Sequence, residues 1–102
     1  MTLNTEIYKK VRQIIFQKYA YPIDQIQPEI RLQIELAVDS LEMFELMNEF
    51  EQAFDIIIEK DDIDSFIFQP QDIKYISDIK VITIQDIVNY IEKQIKERDA
   101  NG

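Results

Sequence analysis

Apolar residues recur every three or four positions near the start of the chain, which is the spacing of one face of a helix. We therefore predict a first helix from Asn4 to about Ala20, with Asn4 as its N-terminal cap. The residues that carry this spacing are Ile7, Val11, Ile14, Ile15 and Tyr19.

A long connection follows, because Pro22 and Pro28 break the helical spacing. It is predicted to extend from Tyr21 to Val38 and to be ordered, since apolar residues along it can anchor it to a core. These residues are Ile26, Ile30, Leu32 and Leu36. A connection of this length is typically functional or crosses the domain.

The clearest amphipathic helix starts at Asp39 or Ser40 and is predicted to end at Phe54. Glu42, three residues after Asp39, has the position of the acid in a capping box. The predicted apolar face consists of Leu41, Phe44, Met47, Phe50 and Phe54, joined by Met43 and Leu46. The predicted polar face consists of Glu42, Glu45, Glu49 and Gln52.

The segment from Ile56 to Ile82 has no single periodicity. Its first residues, Ile56–Ile58, favour a short strand-like stretch. Two short helical pieces are predicted further on, around residues 62–66 and 71–76.

Aromatic residues and a proline interrupt any longer helix in that segment. We interpret them as filling core space, and the alternative is that they add a small hydrophobic cover to the domain. The residues concerned are Phe66, Phe68, Pro70 and Tyr75.

A last helix is predicted from Thr83, which forms a second capping signal with Asp86. Its apolar residues are Ile84, Ile87, Val88, Tyr90, Ile91 and Ile95. It is expected to end at about Glu97, with residues 98–102 frayed.

The composition supports a helical chain. One glycine and three prolines among 102 residues disfavour turn-rich sandwiches and barrels, so we predict an all-α fold in a single domain over residues 1–102. The absence of cysteine gives no sign of an oxidising compartment, so the cytoplasm is expected. The polar amino terminus and the lack of a long apolar run predict neither a signal peptide nor membrane insertion. We also expect a monomer.

The charge is strongly acidic and concentrated. Twenty acidic residues against eleven basic ones give a formal charge of -9, which disfavours nucleic acid and favours basic partners. No basic residue occurs between Arg31 and Lys60, where there are eight acids. These acids are Glu35, Asp39, Glu42, Glu45, Glu49, Glu51, Asp55 and Glu59.

Candidate chemistry is limited, because the chain has no histidine and no cysteine. Nucleophilic triads, imidazole bases and zinc sites are therefore disfavoured, and the acids of the second helix are interpreted as a solvated face. Asp61, Asp62 and Asp64 lie close together, but they lack the glycine and the terminal glutamate of a calcium loop. We predict no metal site.

Ser40 is a candidate modification site because it follows the long connection and begins the acidic helix, where its hydroxyl is expected to be exposed. A phosphodiester there would meet free backbone N–H groups and the positive end of the helix dipole, an interaction of about 0.3–1 kcal/mol. The simpler explanation of Asp39 and Ser40 alone is that they are good cap residues.

The surrounding sequence favours modification. Residues 36–46 are LAVDSLEMFEL, and residues 51–55 are EQAFD. This stretch resembles the acyl carrier protein family, whose modified serine lies in an Asp-Ser-Leu run at the start of its second helix. The resemblance extends to Ile58, to Ile82 and Thr83 at the last helix start, and to the Tyr-Ile pair at 90–91, and so covers nearly the whole chain.

The resemblance implies a four-helix bundle with a long loop between helices one and two and an extended third-helix region. A phosphopantetheinyl transferase would attach 4'-phosphopantetheine to Ser40, with Asp39 and Leu41 beside it, and acyl groups would be carried on this arm as thioesters. The chain itself would perform no catalysis. Acyl-transferring, condensing or ligase enzymes with basic patches would dock on Glu42, Glu45, Glu51, Met43 and Phe44.

The sequence departs from the family pattern at several positions. Ala37 replaces a frequent glycine, Asn48 replaces a frequent methionine, Glu59 replaces a frequent proline, and the segment between Asp55 and Thr83 is longer than usual. The implied role is a carrier in fatty-acid, polyketide or specialised lipid synthesis, and these differences favour a dedicated carrier over a housekeeping fatty-acid carrier. The alternative is an acidic interaction module with the carrier fold but no arm.

Overall fold

This computed structural model describes residues 2–101, without the side chain of Asn101. Four helices have eight or more residues, and no strand occurs within residues 2–101. The prediction of an all-α chain with four principal helices is therefore confirmed. The helices are α1 (Leu3–Tyr19), α2 (Leu32–Glu35), α3 (Ser40–Phe54), α4 (Lys60–Ile67) and α5 (Ile84–Asn101), with 3-10 turns at Ile23–Gln25 and Ile76–Asp78.

One compact unit contains Met1–Ile30 and Thr83–Gly102, and α1 packs against α5 within it. The amide of Gln85 donates to Asn4 Oδ1 at 3.2 Å and to Asn89 Oδ1 at 2.8 Å. The bond to Asn4 joins the two helices at one end, and the bond to Asn89 lies within α5. The core of the unit consists of Ile7, Val11, Ile15, Ile26, Ile30, Ile84, Ile87, Val88, Ile91 and Ile95.

The cap of α1 differs from the prediction. Thr2, not Asn4, is the N-cap, and its hydroxyl oxygen accepts a hydrogen bond from the backbone N–H of Thr5 at 3.2 Å. Asn4 lies inside the helix, where its side chain donates to Asn89 at 3.2 Å. Both residue types are good caps, and the packing partner on α5 explains why Asn4 has another role.

The start of α5 agrees with the prediction and its end does not. The backbone N–H of Asp86 donates to Thr83 Oγ1 at 3.1 Å, and the backbone N–H of Thr83 donates to Asp86 Oδ2 at 3.0 Å. The helix continues to Asn101 instead of ending at about Glu97. The sequence from Ile84 to Asn101 contains no glycine or proline that would end the helix earlier. Gly102 lies outside the described residues.

The second compact unit spans Arg31–Ile82, and α3 packs against α4 within it. Its core consists of Leu32, Val38, Met43, Leu46, Met47, Phe50, Ile56, Ile58, Ile63 and Ile82. The chain enters and leaves this unit side by side, because the backbone N–H of Leu32 donates to the Ile82 carbonyl at 2.9 Å. The side chain of Gln33 accepts from the Ile82 N–H at 2.8 Å.

The buried face of α3 is narrower than predicted. Its buried residues, at three- and four-residue spacing, are Met43, Leu46, Met47 and Phe50. Leu41 is 66% exposed and Phe44 is 44% exposed, so their assignment to the core face is wrong. Seven apolar residues within two heptads are more than a single core-facing stripe can hold.

The residues after α3 form an irregular turn, not a strand. Ile56 and Ile58 are buried and Ile57 is exposed, an alternation that suggests a strand. However, the backbone N–H of Ile58 donates to Glu51 Oε2 at 2.9 Å. The Glu51 side chain thus accepts the hydrogen bond that a neighbouring strand would accept in a sheet.

Of the two predicted short helices, one is confirmed and one is wrong. The piece at 62–66 lies within α4, whereas residues 71–75 are not helical. There the backbone N–H groups of Lys74 and Tyr75 both donate to Asp78 Oδ2 at 3.0 Å. We call residues 68–82 the α4 loop.

The aromatic residues around this loop do not all fill core space. Phe68 is 63% exposed and Tyr75 is 71% exposed, so the core interpretation is wrong for both. Pro70 is exposed as well, and Phe66, at the end of α4, is half-buried. The loop therefore presents apolar side chains to solvent.

Candidate functional site

Ser40 is the first residue of α3, and it is exposed. Asp39 is the N-cap: its Oδ1 atom accepts from the backbone N–H of Glu42 at 2.8 Å, and its carbonyl accepts from the N–H of Met43 at 2.8 Å. The helix start predicted from the sequence is confirmed. Because Asp39 supplies the cap, the Ser40 hydroxyl is not needed for it.

The backbone before Ser40 makes a sharp turn. Ala37 has φ 52°, in the left-handed region where glycine is favoured. The next residue, Val38, is buried, and its N–H donates to the Leu32 carbonyl at 3.0 Å. The turn and this anchor fix the position from which α3 begins, and they explain why a glycine would suit residue 37.

Ser40 lies at the edge of a cavity of about 340 Å³. The cavity is partly open to solvent and is lined by α2, the turn before α3, the first turn of α3, the end of α4 and the α4 loop. Its lining is mainly apolar. The apolar lining residues are Ala37, Val38, Met43, Phe66, Ile67, Ile73 and Ile79, and the polar ones are Gln33, Asp39, Ser40 and Gln69.

The α4 loop is closed at its base by one pair of residues. The side-chain amide of Gln69 donates to the Lys80 carbonyl at 2.8 Å, and its oxygen accepts from the Lys80 N–H at 2.8 Å. The Lys80 ammonium also donates to the carbonyl of Ser65 on α4. The polar end of Gln69 is thus paired with backbone, and Ile73 and Ile79 contribute to the cavity wall from inside the closed loop.

The predicted partner-binding residues fall into two groups. Glu45 and Phe44 are exposed and Glu42 is half-buried, so all three lie where a partner could reach them. Met43 is 1% exposed, so its predicted contact with partners is wrong: it belongs to the core stripe of α3 and to the cavity wall. Glu51 is half-buried and holds the N–H of Ile58, which is a structural role.

Glu49, Ile73 and Ile79 are among the contributors to the site that the sequence did not single out as site residues. Glu49, half-buried, is four residues after Glu45 and therefore lies on the same row of the helix surface. Its spacing could have identified it. Ile73 and Ile79 line the cavity from more than thirty residues beyond Ser40, and no local pattern indicates this.

Within residues 2–101, no group of three or more acids is arranged to hold a metal ion. Among the helices of that range, none is long and apolar enough to cross a bilayer.

Phosphopantetheine fits the residues present around Ser40. The hydroxyl is exposed at a helix N-terminus, which suits an attached phosphate. The adjoining cavity is mainly apolar, so it suits an acyl group more than a charged one.

A protein-family comparison agrees with this geometry. The family model described as "Phosphopantetheine attachment site" matches residues 9–66, more than half of the chain. The matched range includes Ser40 and the whole of α3.

Several acyl carrier proteins are similar to the chain over most of its length. That of Thermotoga maritima is 30% identical over 95 residues, covering 93% of this chain and 99% of the relative. That of Karelsulcia muelleri is 34% identical over 95 residues, covering 93% and 96%. That of Amoebophilus asiaticus is 35% identical over 94 residues, covering 92% and 99%.

The fold agrees as well. The crystal structure of an acyl carrier protein from Thermotoga maritima superimposes with a TM-score of 0.64 at 21% identity, covering 94% of each chain. Proteins of this family carry acyl groups on a 4'-phosphopantetheine prosthetic group and interact with phosphopantetheinyl transferases and acyl-handling enzymes. The chain belongs to the acyl carrier protein family, and it shares the family's acyl-carrying function and 4'-phosphopantetheine cofactor.

Proposed function

We propose that Ser40 is the residue to which the phosphopantetheine arm is attached. The observation that carries this assignment is an exposed hydroxyl on the first residue of α3, at the edge of an apolar cavity. In the reaction, Ser40 Oγ attacks the pantetheine-linked phosphorus of coenzyme A. A phosphate ester forms, the pyrophosphate bond breaks, the adenosine bisphosphate leaves and the hydroxyl proton passes to the transferase.

The neighbouring residues position the hydroxyl. Asp39 fixes the first turn through its bond to the Glu42 N–H at 2.8 Å, and the helix dipole favours the phosphate charge. Leu41 is 66% exposed directly after Ser40, where it offers an apolar contact to the arm or to a partner. Once attached, the arm supplies a terminal thiol that holds acyl groups as thioesters.

The docking surface consists of an acidic row and an apolar pair on α3. Glu42, Glu45 and Glu49 follow each other at three- and four-residue spacing and so share one side of the helix. Leu41 and Phe44, both exposed, lie next to this row. Basic patches on acyl-transferring, condensing or ligase enzymes complement the acids, and such charge pairing speeds encounter more than it tightens binding.

The remaining features follow from a carrier role. Catalysis comes from the partner enzymes, and this chain presents the cargo to them in fatty-acid, polyketide or specialised lipid synthesis. A single carrier domain over residues 1–102, monomeric and located in the cytoplasm, is consistent with this role.

Attachment can be tested by co-expression with a broad-specificity phosphopantetheinyl transferase, followed by intact-protein mass measurement. We expect a mass gain of one phosphopantetheine on the wild-type chain and none on Ser40→Ala. The chain has two other serines, Ser65 and Ser77, and both are exposed. Ser65→Ala and Ser77→Ala are therefore matched controls that should be modified as fully as the wild type.

The alternative, an acidic interaction module without an arm, makes the opposite prediction. It requires no mass gain on the wild-type chain, and complexes with basic partners that Ser40→Ala leaves unchanged. A gain that persists in Ser40→Ala would reject this serine as the attachment point.

A further inference from the structure

The cavity beside Ser40 has four polar residues in its mainly apolar lining, namely Gln33, Asp39, Ser40 and Gln69. Three of them are already engaged. The nitrogen and the oxygen of the Gln69 side chain are both hydrogen-bonded to the backbone of Lys80. The Asp39 carboxylate can only accept, and it caps α3. Ser40 is the residue that would hold the arm.

Gln33, on α2, is engaged through its oxygen alone. Its Oε1 atom accepts a hydrogen bond from the backbone N–H of Ile82 at 2.8 Å. Because a backbone N–H can only donate, this bond sets the orientation of the amide, with the oxygen toward Ile82. Within residues 2–101, Nε2 of Gln33 makes no hydrogen bond. Gln33 is half-buried, so it brings to the cavity lining a donor that lacks an acceptor.

The class of cargo follows from this donor. An N–H group that is removed from water without an acceptor reduces stability, and an unsubstituted alkyl chain beside it supplies no acceptor. A ketone oxygen accepts hydrogen bonds and never donates. Condensation of two thioesters leaves such an oxygen on the third carbon of the acyl group, so a 3-oxoacyl group is the product that a condensing enzyme forms on its carrier.

We propose that the Gln33 amide donates a hydrogen bond to the 3-oxo oxygen of the cargo, and that the carrier therefore holds 3-oxoacyl groups in preference to unsubstituted acyl groups of equal length. This inference rests on attachment of the arm at Ser40. Ser40 and Gln33 line the same cavity, so tethering at Ser40 gives the cargo a high effective concentration beside Gln33. The bond forms in mainly apolar surroundings, where a hydrogen bond is stronger than in water.

The experiment uses the full chain, loaded by a broad-specificity phosphopantetheinyl transferase from hexanoyl-coenzyme A or from 3-oxohexanoyl-coenzyme A. Intact mass verifies the loading of each form. Proton–nitrogen NMR then follows the side-chain NH2 signals of Gln33. We expect these signals to move between the two forms by more than the NH2 signals of Gln71, which is exposed and does not line the cavity.

Gln33→Glu and Gln71→Glu form a matched pair of variants, because each replaces an amide with a carboxylate. Gln33→Glu keeps an oxygen for the Ile82 N–H but has no amide donor. In the wild type, the 3-oxohexanoyl form should melt at or above the melting temperature of the hexanoyl form. In Gln33→Glu it should melt about 4 °C below the hexanoyl form, because the ketone then has no donor. Gln71→Glu should keep the wild-type order.

The outcomes separate this inference from the proposed function. Failure to load the wild-type chain at Ser40 overturns both. Full loading with the Gln33 NH2 signals at the same position in both forms overturns the role of Gln33 alone. The same conclusion follows if Gln33→Glu and Gln71→Glu show equal differences in melting temperature between the two forms. The NMR comparison uses the wild-type chain, so it decides the question even if Gln33→Glu does not fold.

Discussion

Asp39 and Ser40 perform different tasks although they are adjacent. The Asp39 carboxylate accepts from the Glu42 N–H at 2.8 Å and so completes the helix start. A capping serine uses its hydroxyl for that bond, and an aspartate immediately before Ser40 removes this need. Ser40 therefore presents its hydroxyl at the N-terminus of α3 without weakening the helix.

Ala37 is the residue near this site whose backbone suits it least. Its φ of 52° places an alanine in the left-handed region, at a cost of about 1–2 kcal/mol. Glycine avoids this cost. However, it also raises the conformational entropy of the unfolded chain, which offsets about 0.4–1 kcal/mol of the gain in stability. We therefore expect Ala37→Gly to raise the free energy of unfolding by about 0.5–1 kcal/mol, measured from the urea midpoint.

Ala53→Gly is the matched control for this substitution. Ala53 lies in the last turn of α3, where replacing alanine with glycine lowers the free energy of unfolding by up to about 1 kcal/mol. The two variants should therefore shift the urea midpoint in opposite directions. Equal shifts would show that the left-handed turn at residue 37 is not a source of instability.

The turn between α3 and α4 depends on a single acid. Glu51 Oε2 accepts from the N–H of Ile58, a buried residue, at 2.9 Å. Glu51→Ala leaves that N–H without its acceptor and should lower the free energy of unfolding by about 1–3 kcal/mol. Glu51→Gln keeps an acceptor oxygen, so its free energy of unfolding should fall less than that of Glu51→Ala, as measured by urea denaturation. If the two variants are equally unstable, the charge and not the hydrogen bond is what matters.

The helices were predictable because their signals are local. Asp39 with Glu42, and Thr83 with Asp86, mark the starts of α3 and α5 within one turn of sequence, and both starts are confirmed. The N-cap of α1 was not predictable, because the choice between Thr2 and Asn4 depends on Asn89, which lies 85 residues after Asn4.

The α4 loop was not predictable for the same physical reason. Its form depends on bonds between Gln69 and Lys80, eleven residues apart, and between Lys80 and Ser65. The apolar residues of the loop indicate a core in the sequence, although several of them face solvent. Ser40 could be proposed as the attachment residue from the sequence, but the cavity beside it required the structure.

The acids are unevenly distributed along the chain. We therefore expect the rate of phosphopantetheine transfer to depend on where an acid lies as well as on the net charge. Glu45→Lys and Glu97→Lys each change the formal charge by two units, from -9 to -7. Glu45 is on α3 and Glu97 is on α5, and both are exposed. If α3 is the docking surface, only Glu45→Lys should slow phosphopantetheine transfer by several-fold at low salt.

The rate of transfer can be followed by intact mass over a series of salt concentrations. The difference between the Glu45→Lys variant and the wild type should shrink as ionic strength rises, because salt screens exposed charges over about 10 Å at 0.1 M. Equal slowing by Glu45→Lys and Glu97→Lys would mean that net charge alone governs the encounter.

The closed base of the α4 loop also bears on how the length and sequence of this loop can evolve. Because Gln69 and Lys80 are hydrogen-bonded to each other, the ten residues between them begin and end at nearly the same place. A stretch of this kind can be lengthened, shortened or exchanged with little strain on the helix before it. An insertion there would alter the part of the cavity wall that Ile73 and Ile79 form, and would leave the first turn of α3 with Ser40 unchanged.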